Sequence, residues 1–148
     1  ADTWATEIGA RSRTPPRLII GGAPVPPGTS GGITARGTAG GVLGAAVMAG
    51  LSVALRPRSV ANPGELAVLV GVAAIVGMVV DSLLGATLQG RYECPECRVR
   101  TERRAALCHA PVRLIRGTRW LDNDTVNLAA TLAGGGLAAL GGSALSRW

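Results

Sequence analysis

The chain has 148 residues, 47% of them hydrophobic and 22 of them glycine, with 3 tryptophans, 1 tyrosine and no phenylalanine. Its 15 basic residues are all arginine, set against 9 acids for a net charge of +6 at pH 7. A charged fraction of 16% and a mean hydropathy of +0.33 exclude a disordered chain, and apolar runs of spanning length set it apart from basic nucleic-acid modules.

Residues 1–36 are polar and rich in Pro, Gly and Arg. Asp2-Thr3-Trp4-Ala5-Thr6-Glu7 opens the segment with two acids, and Gly28-Thr29-Ser30-Gly31-Gly32-Ile33-Thr34 closes it with glycines and hydroxyls interleaved. A loop of the second kind can present backbone N–H groups to phosphate oxygens, with a flexible linker as the plainer alternative. It is not a Walker A loop, which needs a lysine. A chain that opens at Ala1 directly on such a motif reads as a piece of a longer protein.

Three apolar runs follow. Residues 37–55 and 126–145 carry no charge, and residues 66–88 carry one, Asp81. At about 1.5 Å per residue each can cross a hydrocarbon core of about 30 Å. Glycine at the density of Gly40, Gly41 and Gly44, or of Gly134, Gly135 and Gly136, would weaken a soluble helix by about 1 kcal/mol per position, whereas in lipid it lets helices approach closely. The fold class predicted is therefore all-α: one polytopic transmembrane helix bundle over residues 1–148, with about three spans. Residues 1–36 form a motif segment and residues 89–125 a polar loop. A soluble Ala/Gly-rich helical domain is the alternative.

Twelve of the 15 arginines fall on the side holding residues 1–36 and 89–125, against Arg56, Arg58 and Arg147 on the other. The arginine-rich side is thereby predicted to be cytoplasmic and the chain a multi-pass protein of the cell (inner) membrane. Trp4, Tyr92, Trp120 and Trp148 fall near span ends, as interfacial aromatics do.

Nearly every acid shares the arginine-rich side. Asp81 lies within a span, where an ionisable group costs a few kcal/mol and normally faces the bundle interior; a hydrated carboxylate at the interface is the bland reading. Gly85 at i+4 and Gln89 at i+8 continue a small and polar stripe down the same face. Asp122-Asn123-Asp124-Thr125-Val126-Asn127 opens the third span. Its side chains either N-cap that helix or present oxygens to a hard cation such as Mg²⁺. A competing class is a transporter or ion-translocating protein with Asp81 in the pathway, but its site belongs near the bilayer midplane, whereas these acids and hydroxyls gather at one face.

Cys94-Pro95-Glu96-Cys97 has knuckle spacing and is followed by Cys108 and His109, a set of four that could hold a structural Zn²⁺. Reduced thiols without metal are the alternative, since a cytoplasmic loop disfavours a stable disulfide.

The order of four blocks resembles a known family. Ala1-Asp2-Thr3-Trp4-Ala5-Thr6-Glu7-Ile8-Gly9, Gly28 to Thr34, Asp81-Ser82-Leu83-Leu84-Gly85-Ala86-Thr87-Leu88-Gln89, and Asn123-Asp124-Thr125-Val126-Asn127 are similar to the integral-membrane family of transmembrane protein 19 and the plant phytyl-phosphate kinases. That resemblance implies a polytopic helical protein, with further hydrophobic helices ahead of the Asp-Thr-Trp motif. It implies phosphorylation of an isoprenoid monophosphate to the diphosphate with a nucleoside triphosphate (CTP or ATP) and Mg²⁺. Asp2, Glu7, Asp81, Asn123, Asp124 and Asn127 would then form the catalytic set, and Asp2, Asp81, Asp122 and Asp124 would hold Mg²⁺. Thr29, Ser30, Gly31 and Gly32 would contact phosphate. The chain is also similar, more distantly, to the polyprenol kinases, whose corresponding loop carries a lysine; here Arg17 or Arg36 would replace it. The partners expected are membrane lipids and a prenyl phosphate, with a homo-oligomer as a further option and either the preceding helices or a second copy left to complete the site. Nucleic acid is not among them.

Overall fold

The computed structural model describes residues 1–57, 62–103 and 111–145. Within them the chain runs α1 (Asp2–Ala10), β1 (Arg17–Leu18), β2 (Gly32–Ile33), α2 (Ala35–Ala54), α3 (Pro63–Thr87), β3 (Arg91–Glu93), β4 (Arg100–Thr101), β5 (Arg113–Arg116) and α4 (Asn123–Leu145).

Each long helix begins at a side-chain cap. The Thr34 hydroxyl accepts the Gly37 amide at 3.0 Å to start α2. Asn62 Oδ1 accepts the Gly64 and Glu65 amides at 3.1 and 3.3 Å to start α3, with Pro63 supplying the fixed φ of a first helical residue. Asp122 Oδ1 accepts the Thr125 amide at 3.1 Å and the Thr125 hydroxyl at 2.7 Å ahead of α4.

Glycines set how closely these helices meet. A Cβ at Gly37 would lie 2.7 Å from the Ala5 carbonyl oxygen, and one at Gly40 would lie 2.7 Å from Ile8 Cδ1, so α1 rests directly on the backbone of α2. Gly41 makes the hole that receives Met78 Sδ from α3, and a Cβ at Gly134 would stand 2.8 Å from the Ala73 carbonyl oxygen, which brings α4 against α3. This is the small-residue packing of helices in lipid.

The outward sides are apolar. Leu55, Val68, Leu132 and Leu140 are 80, 66, 65 and 73% exposed. Among the described residues α2 and α3 are long and apolar enough to cross a membrane. The 23-residue α4, diluted by Gly134, Gly135, Gly136, Gly141 and Gly142, is less apolar.

The all-α expectation is corrected at the polar segments. β1 and β2 pair antiparallel, Arg17 opposite Ile33. The segment predicted as a plain loop holds a three-stranded antiparallel sheet of order β4-β3-β5, with Tyr92 opposite Thr101 and Leu114. Strands of two to four residues are too short for a period-2 signal to register. Tyr92, expected at the interface, is buried in this sheet, while Trp4 and Trp120 are exposed. The excursion is closed at its base: the Gly90 amide donates to the Leu121 carbonyl at 2.8 Å and the Thr118 amide to the Leu88 carbonyl at 3.0 Å.

Candidate functional site

The stripe on α3 organises one end of the bundle. Asp81 lies six residues from the end of the helix, and its Oδ1 is buried with no hydrogen-bond partner. One turn on, Gly85 meets the Gly28–Gly32 loop; a Cβ there would lie 2.9 Å from the Gly31 nitrogen. At the helix end the Gln89 side chain is 2% exposed and donates from Nε2 to Glu102 Oε2 at 3.0 Å.

A cavity of about 1130 Å³ opens beside this stripe. Asp2 and Glu7 of α1 line it, together with Thr29 to Gly32, Asp81 and Ser82, and Asn123 and Asn127 of α4. Val70, Ala73, Ala74, Gly77 and Met78 carry the lining back along α3, over about 16 Å from Val70 to Asp81. Burial raises the Asp2 carboxyl above its ordinary pKa, and Asp2 and Asp81 line the same cavity. Four predicted blocks, distant in sequence, thus share one cavity.

Other predicted residues lie elsewhere. Asp122 is engaged in capping α4, and Asp124 is exposed and off the cavity wall, since consecutive residues on a helix start point apart. Among the described residues, no three His, Cys, Asp or Glu side chains gather to hold a metal ion, so the four-aspartate cluster is not formed. Arg36 donates to the Arg11 carbonyl at 3.2 Å and Arg17 to the Gly22 carbonyl at 2.8 Å, and neither lines the cavity. Cys94 is buried and Cys97 exposed in the β3–β4 turn, where the Cys94 amide donates to the Val99 carbonyl and the Arg98 amide to the Cys94 carbonyl, both at 3.0 Å. The other half of the zinc set, Cys108 and His109, lies outside the described residues.

Glu102 was not singled out by the sequence, yet it sits at the heart of the loop. Its Oε1 accepts the Ser30 amide at 2.9 Å and its Oε2 the Ser30 hydroxyl at 2.5 Å. Both donors expected to meet phosphate are therefore held by a carboxylate, and the Gly32 amide is taken by the Thr29 carbonyl at 2.9 Å. Arg91 completes the group: Nη2 donates to the Ser30 carbonyl at 2.8 Å and Nε stands 4.0 Å from Glu102 Oε1. Burial lowers the Arg91 pKa from its ordinary value, with Glu102 opposing. An acid in an arginine-rich segment gives no sequence signal of such a role, because solvated pairs have the same composition.

A family described as integral membrane protein DUF92 matches residues 1–135. A similar relative is the protein PGR of Arabidopsis thaliana, 35% identical over 141 residues, which cover 88% of this chain and 46% of the plant protein. The chain thus spans about half the length of that curated relative. No solved structure matches it.

Proposed function

The chain belongs to the DUF92 family of integral membrane proteins, and on that premise we propose that it carries the reacting face of an isoprenoid monophosphate kinase. A phosphate oxygen of the prenyl monophosphate attacks the γ-phosphorus of a nucleoside triphosphate. The bond from that phosphorus to the β–γ bridging oxygen breaks, leaving a prenyl diphosphate and a nucleoside diphosphate. The observation that carries this reading is the cavity itself, with carboxylates, amides and hydroxyls at one end and a wall of small apolar side chains extending from it. Phosphoryl transfer asks a protein chiefly for positioning and charge neutralisation, which such a constellation can supply.

The residues fit a divalent cation. Mg²⁺ is held by one or two carboxylates, with phosphate oxygens and water completing its shell, and Asp2 and Asp81 provide that number, Asp81 with an unsatisfied oxygen. When bound, the cation offsets the charge spread over the transferring phosphoryl oxygens. Asn123 and Asn127, one turn apart on α4 and both lining the cavity, would orient the polyphosphate by donating from their side-chain amides. Thr29 contributes a hydroxyl from the facing wall. The apolar stretch from Met78 back to Val70 shelters the prenyl chain from water.

The arginine bias supports a cytoplasmic position for this face, where the nucleotide is available, and the apolar outer side of α4 supports a third span. A transport pathway is less well served. Asp81 lies about 9 Å along the axis from the end of α3 and about as far from its middle, on the half that carries the Gly28–Gly32 loop.

The test is direct. Full-length protein in detergent, given a prenyl monophosphate, nucleoside triphosphate and Mg²⁺, should form the diphosphate, and Asp81→Asn should lower the rate by about 100-fold or more. An unchanged rate in Asp81→Asn would sink the assignment.

A further inference from the structure

Three hydrogen-bond donors and one guanidinium, from three segments, converge on one carboxylate. The Ser30 amide and hydroxyl, Gln89 Nε2 at the end of α3, and the Arg91 guanidinium at the start of β3 all face Glu102. That is more than an exposed hairpin needs to be fastened, since surface ion pairs contribute about 0–1 kcal/mol. An amide and a hydroxyl of one serine, supported by a neutral amide and a guanidinium, suit any anion with several oxygens, phosphate as well as carboxylate.

The cavity gives a reason for the arrangement. Among the described residues, every ionisable side chain lining it is acidic: Asp2, Glu7, Asp81 and Glu102. Arg91 stands behind Glu102 and does not reach the wall. Withdrawal of Glu102 removes one negative charge and uncovers one positive charge at the same point. The donors would stay in place, because the Gly31–Gly85 contact holds the loop on α3 independently of Glu102.

We propose that Glu102 occupies an anion seat formed by Ser30, Gln89 and Arg91, and that a substrate phosphate binds there by displacing the Glu102 carboxylate. This rests on the phosphoryl-transfer reading above. Glu102 is then a self-supplied competitor that keeps the seat closed until phosphate arrives, and Arg91 is the cation left facing the phosphate.

Inorganic pyrophosphate is the probe. Titrated into the chain in nanodiscs, it should bind about tenfold more tightly to Glu102→Gln than to the wild type, the scale of one charge-assisted hydrogen bond. Ser30→Ala in the same background should remove the gain. Equal or weaker binding by Glu102→Gln, with a lower melting temperature, makes Glu102 a structural staple and overturns the proposal. In the unmodified chain, saturating pyrophosphate should shift the Ser30 amide resonance and leave that of Gly64 unmoved, so the idea stays testable even where a variant fails to fold. An unmoved Ser30 resonance overturns it. Competition by a nucleoside triphosphate identifies the seat as the donor's and competition by a prenyl monophosphate as the acceptor's; competition by neither overturns it. Should pyrophosphate bind as stated while no diphosphate is ever formed, the kinase reading fails and the seat stands.

Discussion

Gly31 and Gly85 lie so close that neither tolerates a side chain. A Cβ on Gly31, whose φ is +75°, would enter the Ala86 backbone, and one on Gly85 would lie 3.1 Å from Ser30 Cβ. The loop is seated on α3 by the absence of atoms, one turn beyond Asp81. Gly31→Ala should therefore lower stability by about 2 kcal/mol or more, combining left-handed strain with overlap. Gly142→Ala, which meets open space, should be neutral or gain up to about 1 kcal/mol from helix propensity. Thermal unfolding of both variants in detergent checks the contrast; equal melting temperatures would refute the seating.

The two aspartates at the start of α4, Asp122 just ahead of it and Asp124 in its first turn, should separate from the cavity acids. Asp122→Ala removes both bonds to Thr125 and should cost about 1 kcal/mol as a lost cap. Asp124→Asn should leave both stability and phosphoryl transfer near wild type. A collapse of activity in Asp124→Asn, measured beside Asp81→Asn, would return Asp124 to the site.

Glu93 gives the β3–β4 hairpin a pH response. Hydrogen bonds from Arg100 Nε at 3.2 Å and Arg98 Nη1 at 3.3 Å hold its carboxyl below the usual glutamate range. Since the folded value is depressed, the contribution is complete above the ordinary value of about 4.3 and is lost as pH falls through the folded one. The amide shifts of Cys94 and Arg98 should stay flat down to about pH 5 and move below it. Added salt should weaken the pairs. Glu93→Gln should abolish the transition, and a transition that survives it belongs to another group.

Sidedness can be read by thiol labelling. In a chain carrying Cys97→Ser and Cys108→Ser, Trp120→Cys should react with an impermeant maleimide in inside-out vesicles and not in intact cells. Leu55→Cys should do the opposite. Both positions are strongly exposed, at 85 and 80%, so access reports the membrane side. Labelling of Trp120→Cys from outside would reverse the orientation drawn from arginine.

What the sequence made legible follows from the range of each signal. The helices were visible because 20 or so apolar residues suffice to read a span, and the family assignment drawn from the four ordered motifs is borne out by the match over residues 1–135. Asp81, Gly85 and Gln89 were readable as one stripe because helical spacing fixes a shared face. The same reasoning could not place Asp122, since a capping and a ligating aspartate have identical local sequences. Glu102 was hidden because its partner is 72 residues away, and no periodicity links a hairpin to a remote loop. The short strands escaped for want of length, and Tyr92 was misplaced with them.

The pair of hydrogen bonds joining Gly90 to Leu121 and Leu88 to Thr118 acts as a clasp at the base of the Cys-containing excursion. Mechanically, α3 and α4 are spliced across it, so the length and composition of everything beyond the clasp can vary without moving Asp81 or Asn123. Replacing the excursion with a short turn would leave the bundle end standing and Ser30 without its carboxylate. The segment is thus an attachment on a finished scaffold, through which one membrane face can be refitted while the helices beneath it are left alone.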